Sequence, residues 1–104
     1  MAIIKELNTE NYDESVKSGI VLVDFWAPWC NPCRMLGTIL EQVAAEAPEN
    51  VVIGKVNIDE NKDLAVRFEV MNIPCIFIYK DGKIVNDFSG VQSKPKLLEA
   101  LKNA

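Results

Sequence analysis

The sequence predicts an α/β domain built on a mixed five-stranded sheet with helices on both faces. Two observations carry this. An unbroken apolar run, Ile20-Val21-Leu22-Val23 through Asp24 into Phe25 and Trp26, is followed by a long helical pattern and then by a second apolar run from Val51 to Ile58. Strand, helix, strand is the signature of a parallel crossover, and strands buried on both faces read as continuous apolar runs. Further on, Cys75 to Tyr79 and Lys83 to Phe88 are separated only by Lys80-Asp81-Gly82. Asp-Gly between two strand patterns signals an antiparallel hairpin, so the sheet must be mixed.

In chain order, Ile3 to Leu7 predicts a short first strand. Asn8 or Thr9 is placed to cap a helix that runs through Tyr12 and Val16 to about Ser18, ended by Gly19. After Cys30, the positions Cys33, Leu36, Gly37, Leu40, Val43, Ala44 and Ala47 recur at helical spacing, while Glu41, Gln42 and Glu46 fall on the other side. This is the longest predicted helix, and Pro48 closes it. Asp59 and Asn61 precede a short helix containing Leu64, Ala65 and Phe68. Ser93 caps the last one, with Pro95 in its first turn and Leu97, Leu98 and Leu101 on one face. The expected order is β-α-β-α-β-α-β-β-α, one domain over residues 1–104.

Bulk properties remove several classes of function. With 104 residues, 49% of them hydrophobic, the chain can bury a core of its own without a disulfide scaffold. Its formal net charge of -4, with eleven scattered Lys and Arg, does not make a nucleic-acid footprint. No apolar run approaches the about 18 residues of a membrane span, and Met1 to Asn8 lacks the basic and apolar regions of a secretion signal, so the expected address is cytoplasmic. There are no histidines, which excludes Cys-His nucleophile pairs and every His-containing zinc site.

The stretch that carries chemistry is Trp26-Ala27-Pro28-Trp29-Cys30-Asn31-Pro32-Cys33, where a strand hands over to a helix. A sulfur at the first turn faces the unpaired N–H groups and the positive end of the helix dipole, which favour thiolate over thiol. Pro32 suits that turn, whose N–H groups have no partner within the helix. Cys33, one turn from Cys30, can close a disulfide with it. A C-x-x-C beside a βαβ pattern reads as a redox dithiol.

Taken together, Val23-Asp24-Phe25-Trp26-Ala27-Pro28-Trp29-Cys30, Pro32-Cys33, Lys55-Val56-Asn57-Ile58-Asp59, Ile73-Pro74, Lys80-Asp81-Gly82 and Phe88-x-Gly90 resemble thioredoxins in order and spacing across essentially the whole chain. The resemblance implies a thioredoxin fold and a general protein-disulfide reductase, monomeric and without a bound cofactor, recharged by a thioredoxin reductase or a similar donor. It implies that Cys30 is the exposed attacking thiol and Cys33 the buried resolving one, with Asp24 a buried carboxylate behind Cys33 and Lys55 beside it. Pro74 becomes a cis-proline facing the dithiol, and Ile73 pairs its backbone with the substrate. Trp29, Ile73, Pro74, Gly90 and Val91 form the apolar docking surface. Three residues depart from the family pattern: Asn31 for Gly, Thr38 for the proline that kinks the helix, and Cys75 for Thr.

Several residues keep two readings. Asp24, in the middle of an apolar strand, is desolvated, which raises its pKa and lets it accept a proton from Cys33; the alternative is a salt bridge with Lys55. Trp26 is either a core aromatic or a shield under the motif, and Asn31 and Pro32 tune the redox poise. Cys75 is a small buried apolar residue or a third thiol that exchanges with Cys30. Two rival functions are a metal or iron-sulfur site using Cys30, Cys33 and Cys75, and a docking module for a larger enzyme.

Overall fold

A computed structural model describes residues 1–104. The elements are β1 (Ile3–Leu7), α1 (Tyr12–Val16), β2 (Ile20–Trp26), α2 (Asn31–Glu46), β3 (Val51–Asn57), α3 (Lys62–Arg67), β4 (Cys75–Lys80), β5 (Lys83–Ser89) and α4 (Lys94–Lys102). The five strands form one sheet in the order β1-β3-β2-β4-β5. Both β1 and β2 run parallel to β3, while β4 is antiparallel to β2 and β5 to β4.

The unbroken apolar run of β2 is explained by its place at the centre of the sheet, covered on both sides. Leu22, Ile53, Ile76 and Ile78 pack against Leu36, Leu40 and Val43 of α2 and against Leu97 and Leu101 of α4. Val21, Val23 and Phe25, with Val56 and Tyr79, pack against Tyr12 and Val16 of α1 and Leu64 of α3. Alternate residues of one strand thus belong to two separate cores, as the pleat requires.

Several boundaries differ from the expectation. Helix α1 begins at Tyr12, not at Asn8 or Thr9, and ends at Val16. Asn8 still caps a turn, since Asn8 and Asn11 each donate a backbone N–H to the other's Oδ1, at 2.7 and 2.8 Å, and Tyr12 N–H bonds Asn8 O at 2.9 Å; regular helix follows only after that turn. Strand β3 stops at Asn57, whose Oδ1 accepts from the N–H of Asp59 at 2.9 Å and turns the chain. Strands β4 and β5 each extend one residue further than expected, to Lys80 and Ser89. The hairpin between them is as tight as Asp-Gly suggested, since Lys80 lies opposite Lys83 and both Asp81 and Gly82 have positive φ, 49° and 85°. Two positive φ values define the turn whose twist matches the strands it joins. Helix α2 runs without interruption past Gly37 and Thr38.

Candidate active site

The site is assembled where β2 ends. Trp26 closes the strand, Ala27-Pro28-Trp29 turns the chain, and Cys30 is the N-cap of α2, with extended backbone at φ -95° and ψ 110°. The Cys30 N–H donates to Ala27 O at 3.2 Å, which fixes the turn. Its Sγ accepts from the N–H of Cys33 at 3.2 Å, so sulfur takes the part that a Ser or Asp oxygen usually plays at a helix start. Asn31 and Pro32 fill the first two helical positions, and no acidic residue occupies the first turn of α2. Negative charge on Cys30 sulfur is therefore opposed by no carboxylate of that turn and favoured by an amide and the dipole.

Cys30 and Cys33 are joined as a disulfide, with Cα atoms 5.2 Å apart. They share a small apolar cluster with Ala27, against which Trp26, Ile58 and Ile73 pack. The expectation of an exposed Cys30 needs correction. It is 6% exposed against 2% for Cys33, because the turn and Ile73 cover it.

The facing wall is the loop before β4. The Ile73-Pro74 peptide bond is cis. Cys30 Sγ lies 3.9 Å from Ile73 O. Neither the N–H nor the C=O of Ile73 bonds another backbone group, whereas Pro74 O accepts from Gly90 N–H at 2.9 Å. Gly90 makes that approach with φ 81°, a conformation that costs other residues much more. Trp29 is 65% exposed, and its indole N–H donates to Asp59, 3.0 Å from Oδ2 and 3.3 Å from Oδ1. Ile73 and Val91 are half-buried. Ile73 packs against the dithiol cluster, Trp29 adjoins Cys30 in the chain, and Gly90 bonds Pro74, which is itself buried. Asp59 carried no signal of its own in the sequence, lying only within a matched segment.

The thioredoxin family model matches residues 3–103. Thioredoxin of Staphylococcus haemolyticus is 45% identical over 101 residues, 97% of this chain and 96% of that protein. The chain belongs to the thioredoxin family. Thioredoxin of Chlamydia pneumoniae is 50% identical over 92 residues, 88% of this chain and 89% of that protein. Among solved structures, a mutant thioredoxin from Halobacterium salinarum superposes with a TM-score of 0.86 at 27% identity, covering 98% of this chain and 89% of the other. The architecture is the thioredoxin fold, and the activity is that of a thiol-disulfide oxidoreductase, a protein-disulfide reductase whose redox pair is Cys30 and Cys33.

On β2 of this thioredoxin-family chain, Asp24 has no exposure at all and no hydrogen-bond partner at either carboxylate oxygen. Burial pushes its pKa up to about 7, and the positive charge of Lys55 acts in the opposite direction. The two residues are register partners on β2 and β3, yet no ion pair joins them. The alternative reading, a salt bridge, is absent, and the Lys55 ammonium sits over the Trp26 ring, 4.8 Å from its centre. Trp26 Nε1 is buried without a partner as well.

Cys75 is the one free thiol and is half-buried. It pairs with Phe25 and Ser89 in the sheet and packs with the Phe25 and Tyr79 core, not in the cluster of Cys30 and Cys33. Burial, reinforced by the negative charges of Asp87 and Asp24, pushes its thiol pKa up. Nowhere do three Cys, Asp or Glu side chains converge in a metal-binding arrangement, so the three cysteines do not form the nucleus of a cluster site.

Proposed function

We propose that Cys30 attacks and Cys33 resolves. Cys30 thiolate forms a bond to one sulfur of a protein disulfide, and the second sulfur of that disulfide leaves as a thiolate. Cys33 passes its proton to Asp24, and its thiolate then attacks Cys30 Sγ. The Cys30–Cys33 bond forms, the mixed disulfide breaks, and the target leaves as a dithiol that has gained two electrons. A carboxylate whose pKa is about 7 exchanges protons at neutral pH with little free-energy change, which suits Asp24 to this part. Lys55 lowers the proton affinity of Asp24 by its charge alone.

One observation carries the assignment: the sulfur of Cys30 caps α2 and lies 3.9 Å from a carbonyl of Ile73, a residue whose backbone is otherwise unpaired. An extended substrate segment can pair with Ile73 as with a strand edge, which presents its disulfide to Cys30. Trp29, Pro74, Gly90 and Val91 supply apolar contact around that pairing. Recognition then depends on backbone and apolar surface, and accepts many protein disulfides.

The protein acts as a monomeric single domain in the cytoplasm, needs no bound cofactor, and is recharged by a thioredoxin reductase or an equivalent donor. Asn31 and Pro32 set the redox poise through the first turn of α2, and Trp26 shields the buried side of the pair. Cys75 serves as a packing residue. A trap tests the assignment: Cys33→Ser, reduced and mixed with a disulfide-bearing protein, should give an adduct through Cys30 that dithiothreitol releases. No adduct, with Cys30 still open to alkylation, would overturn it.

A further inference from the structure

Trp29 is exposed, yet its surroundings hold it in one place. Pro28 before it has a φ fixed by its ring. Its indole N–H is bonded to Asp59. The peptide unit between Pro28 and Trp29 has a third restraint, which comes from the helix. Arg34, in the first turns of α2, donates from both Nε and Nη2 to Pro28 O, at 3.3 and 3.0 Å. Two N–H groups of one planar guanidinium on a single carbonyl fix the plane of that peptide more firmly than one bond from a flexible ammonium.

A cation at this end of a helix works against the dipole, so its place calls for another explanation than helix stability. We infer that Arg34 is a positioning residue for substrate docking, acting through the Pro28 carbonyl to preorganise Trp29 beside Cys30. The chain from α2 to the docking surface is short: Arg34 to Pro28 O, Pro28 to Trp29 through one peptide bond, and Trp29 to Cys30 through the next. Holding an aromatic anchor in its bound orientation before a partner arrives removes an ordering cost from association. The benefit falls on substrate affinity and leaves the sulfur chemistry alone.

The inference rests on Trp29 being a docking residue, and the experiment separates the two claims. Steady-state reduction of a protein disulfide is measured for Arg34→Ala, Arg34→Lys, Trp29→Ala and Arg34→Ala/Trp29→Ala, together with the pH profile of Cys30 alkylation. Arg34→Ala should raise KM about fivefold with kcat nearly unchanged, the scale of one ordinary hydrogen bond. Arg34→Lys should recover only part of the loss, and the double variant should be no worse than Trp29→Ala alone, because both changes remove the same contact. The inference is overturned by an unchanged KM in Arg34→Ala or by full rescue with lysine. It is overturned equally by additive losses in the double variant or by a moved alkylation profile, which would mean that the guanidinium acts on the thiolate directly. An unchanged KM in Trp29→Ala would instead strike the docking reading itself, and with it the inference that depends on it.

Discussion

Two buried polar spots lie on opposite faces of the sheet and have been treated differently by the fold. On the α1 and α3 face, the hydroxyls of Tyr12 and Tyr79 meet at 2.7 Å, one donating and the other accepting, inside a ring of Phe25, Phe68 and Phe77. Burial raises the pKa of both tyrosines, and they remain neutral at any pH the protein would meet. On the other face, Asp24 has comparable burial and no partner, with Trp26 Nε1 unpartnered nearby in sequence. The first pair is closed and contributes only to packing. The second retains unused hydrogen-bonding capacity on the face of β2 that α2 covers, at a cost in stability. Unsatisfied polarity, more than polarity itself, separates the carboxylate proposed to move a proton from the closed tyrosine pair.

The comparison can be broken by substitution, beginning with the largest effect. Asp24 has a folded-state pKa of about 7 against 3.8 in the unfolded chain, so the folded state binds more protons between those values and stability must fall as pH rises from about 4 to about 7. Asp24→Asn removes that penalty. Denaturant unfolding should show a gain on the order of 4 kcal/mol at pH 8 that vanishes near pH 4, since one pKa unit is about 1.4 kcal/mol. The same variant should clear the mixed disulfide more slowly above pH 7. A pH-independent gain, with clearance at the original rate, would make Asp24 a structural carboxylate.

Next in size is Tyr79→Phe, which leaves the Tyr12 hydroxyl buried and alone. A loss of about 1–3 kcal/mol is expected, with disulfide reduction unaffected, while Tyr12→Phe/Tyr79→Phe should return most of the loss because no orphan is left. A double variant as unstable as the single one would show that the hydroxyls matter beyond satisfying each other. Smaller still is Lys55→Gln. Because Lys55 lowers the pKa of Asp24, its removal should move the upper edge of the stability slope to a pH above about 7. A downward or absent shift, followed by denaturation at a series of pH values, would contradict the electrostatic coupling.

How far the sequence went differs between the parts of the molecule for physical reasons. Patterns set by periodicity were readable: the doubly buried β2, the amphipathic α2 and the Asp81-Gly82 hairpin. At α1, Asn8 was legible as a capping residue, but not that the turn it closes with Asn11 comes before the regular helix. At the site, the dithiol was visible as spacing and the facing loop only as resemblance, since Ile73 and Pro74 are brought to Cys30 by the fold and not by the chain. Side-chain direction was the least legible. Asp24 and Lys55 are register partners, and nothing in their order shows that the ammonium turns to Trp26. The Arg34 contact to Pro28 O was equally invisible, because a main-chain acceptor leaves no mark in the sequence.

The Asp81-Gly82 turn has a mechanical meaning as well. It lies at the end of the sheet away from the dithiol, and there Asp81 N–H donates to Gly19 O while Gly19 N–H donates to Asp81 Oδ1, both at 2.9 Å. These reciprocal bonds fasten the corner between α1 and β2 to the corner between β4 and β5, residues more than half the chain apart. One end of the sheet is therefore riveted, and the other, where Ile73 keeps its backbone unpaired, is left ajar. Thermal opening should begin at the ajar end and stop at the rivets, so that the edge proposed to receive incoming polypeptides is also expected to breathe most readily.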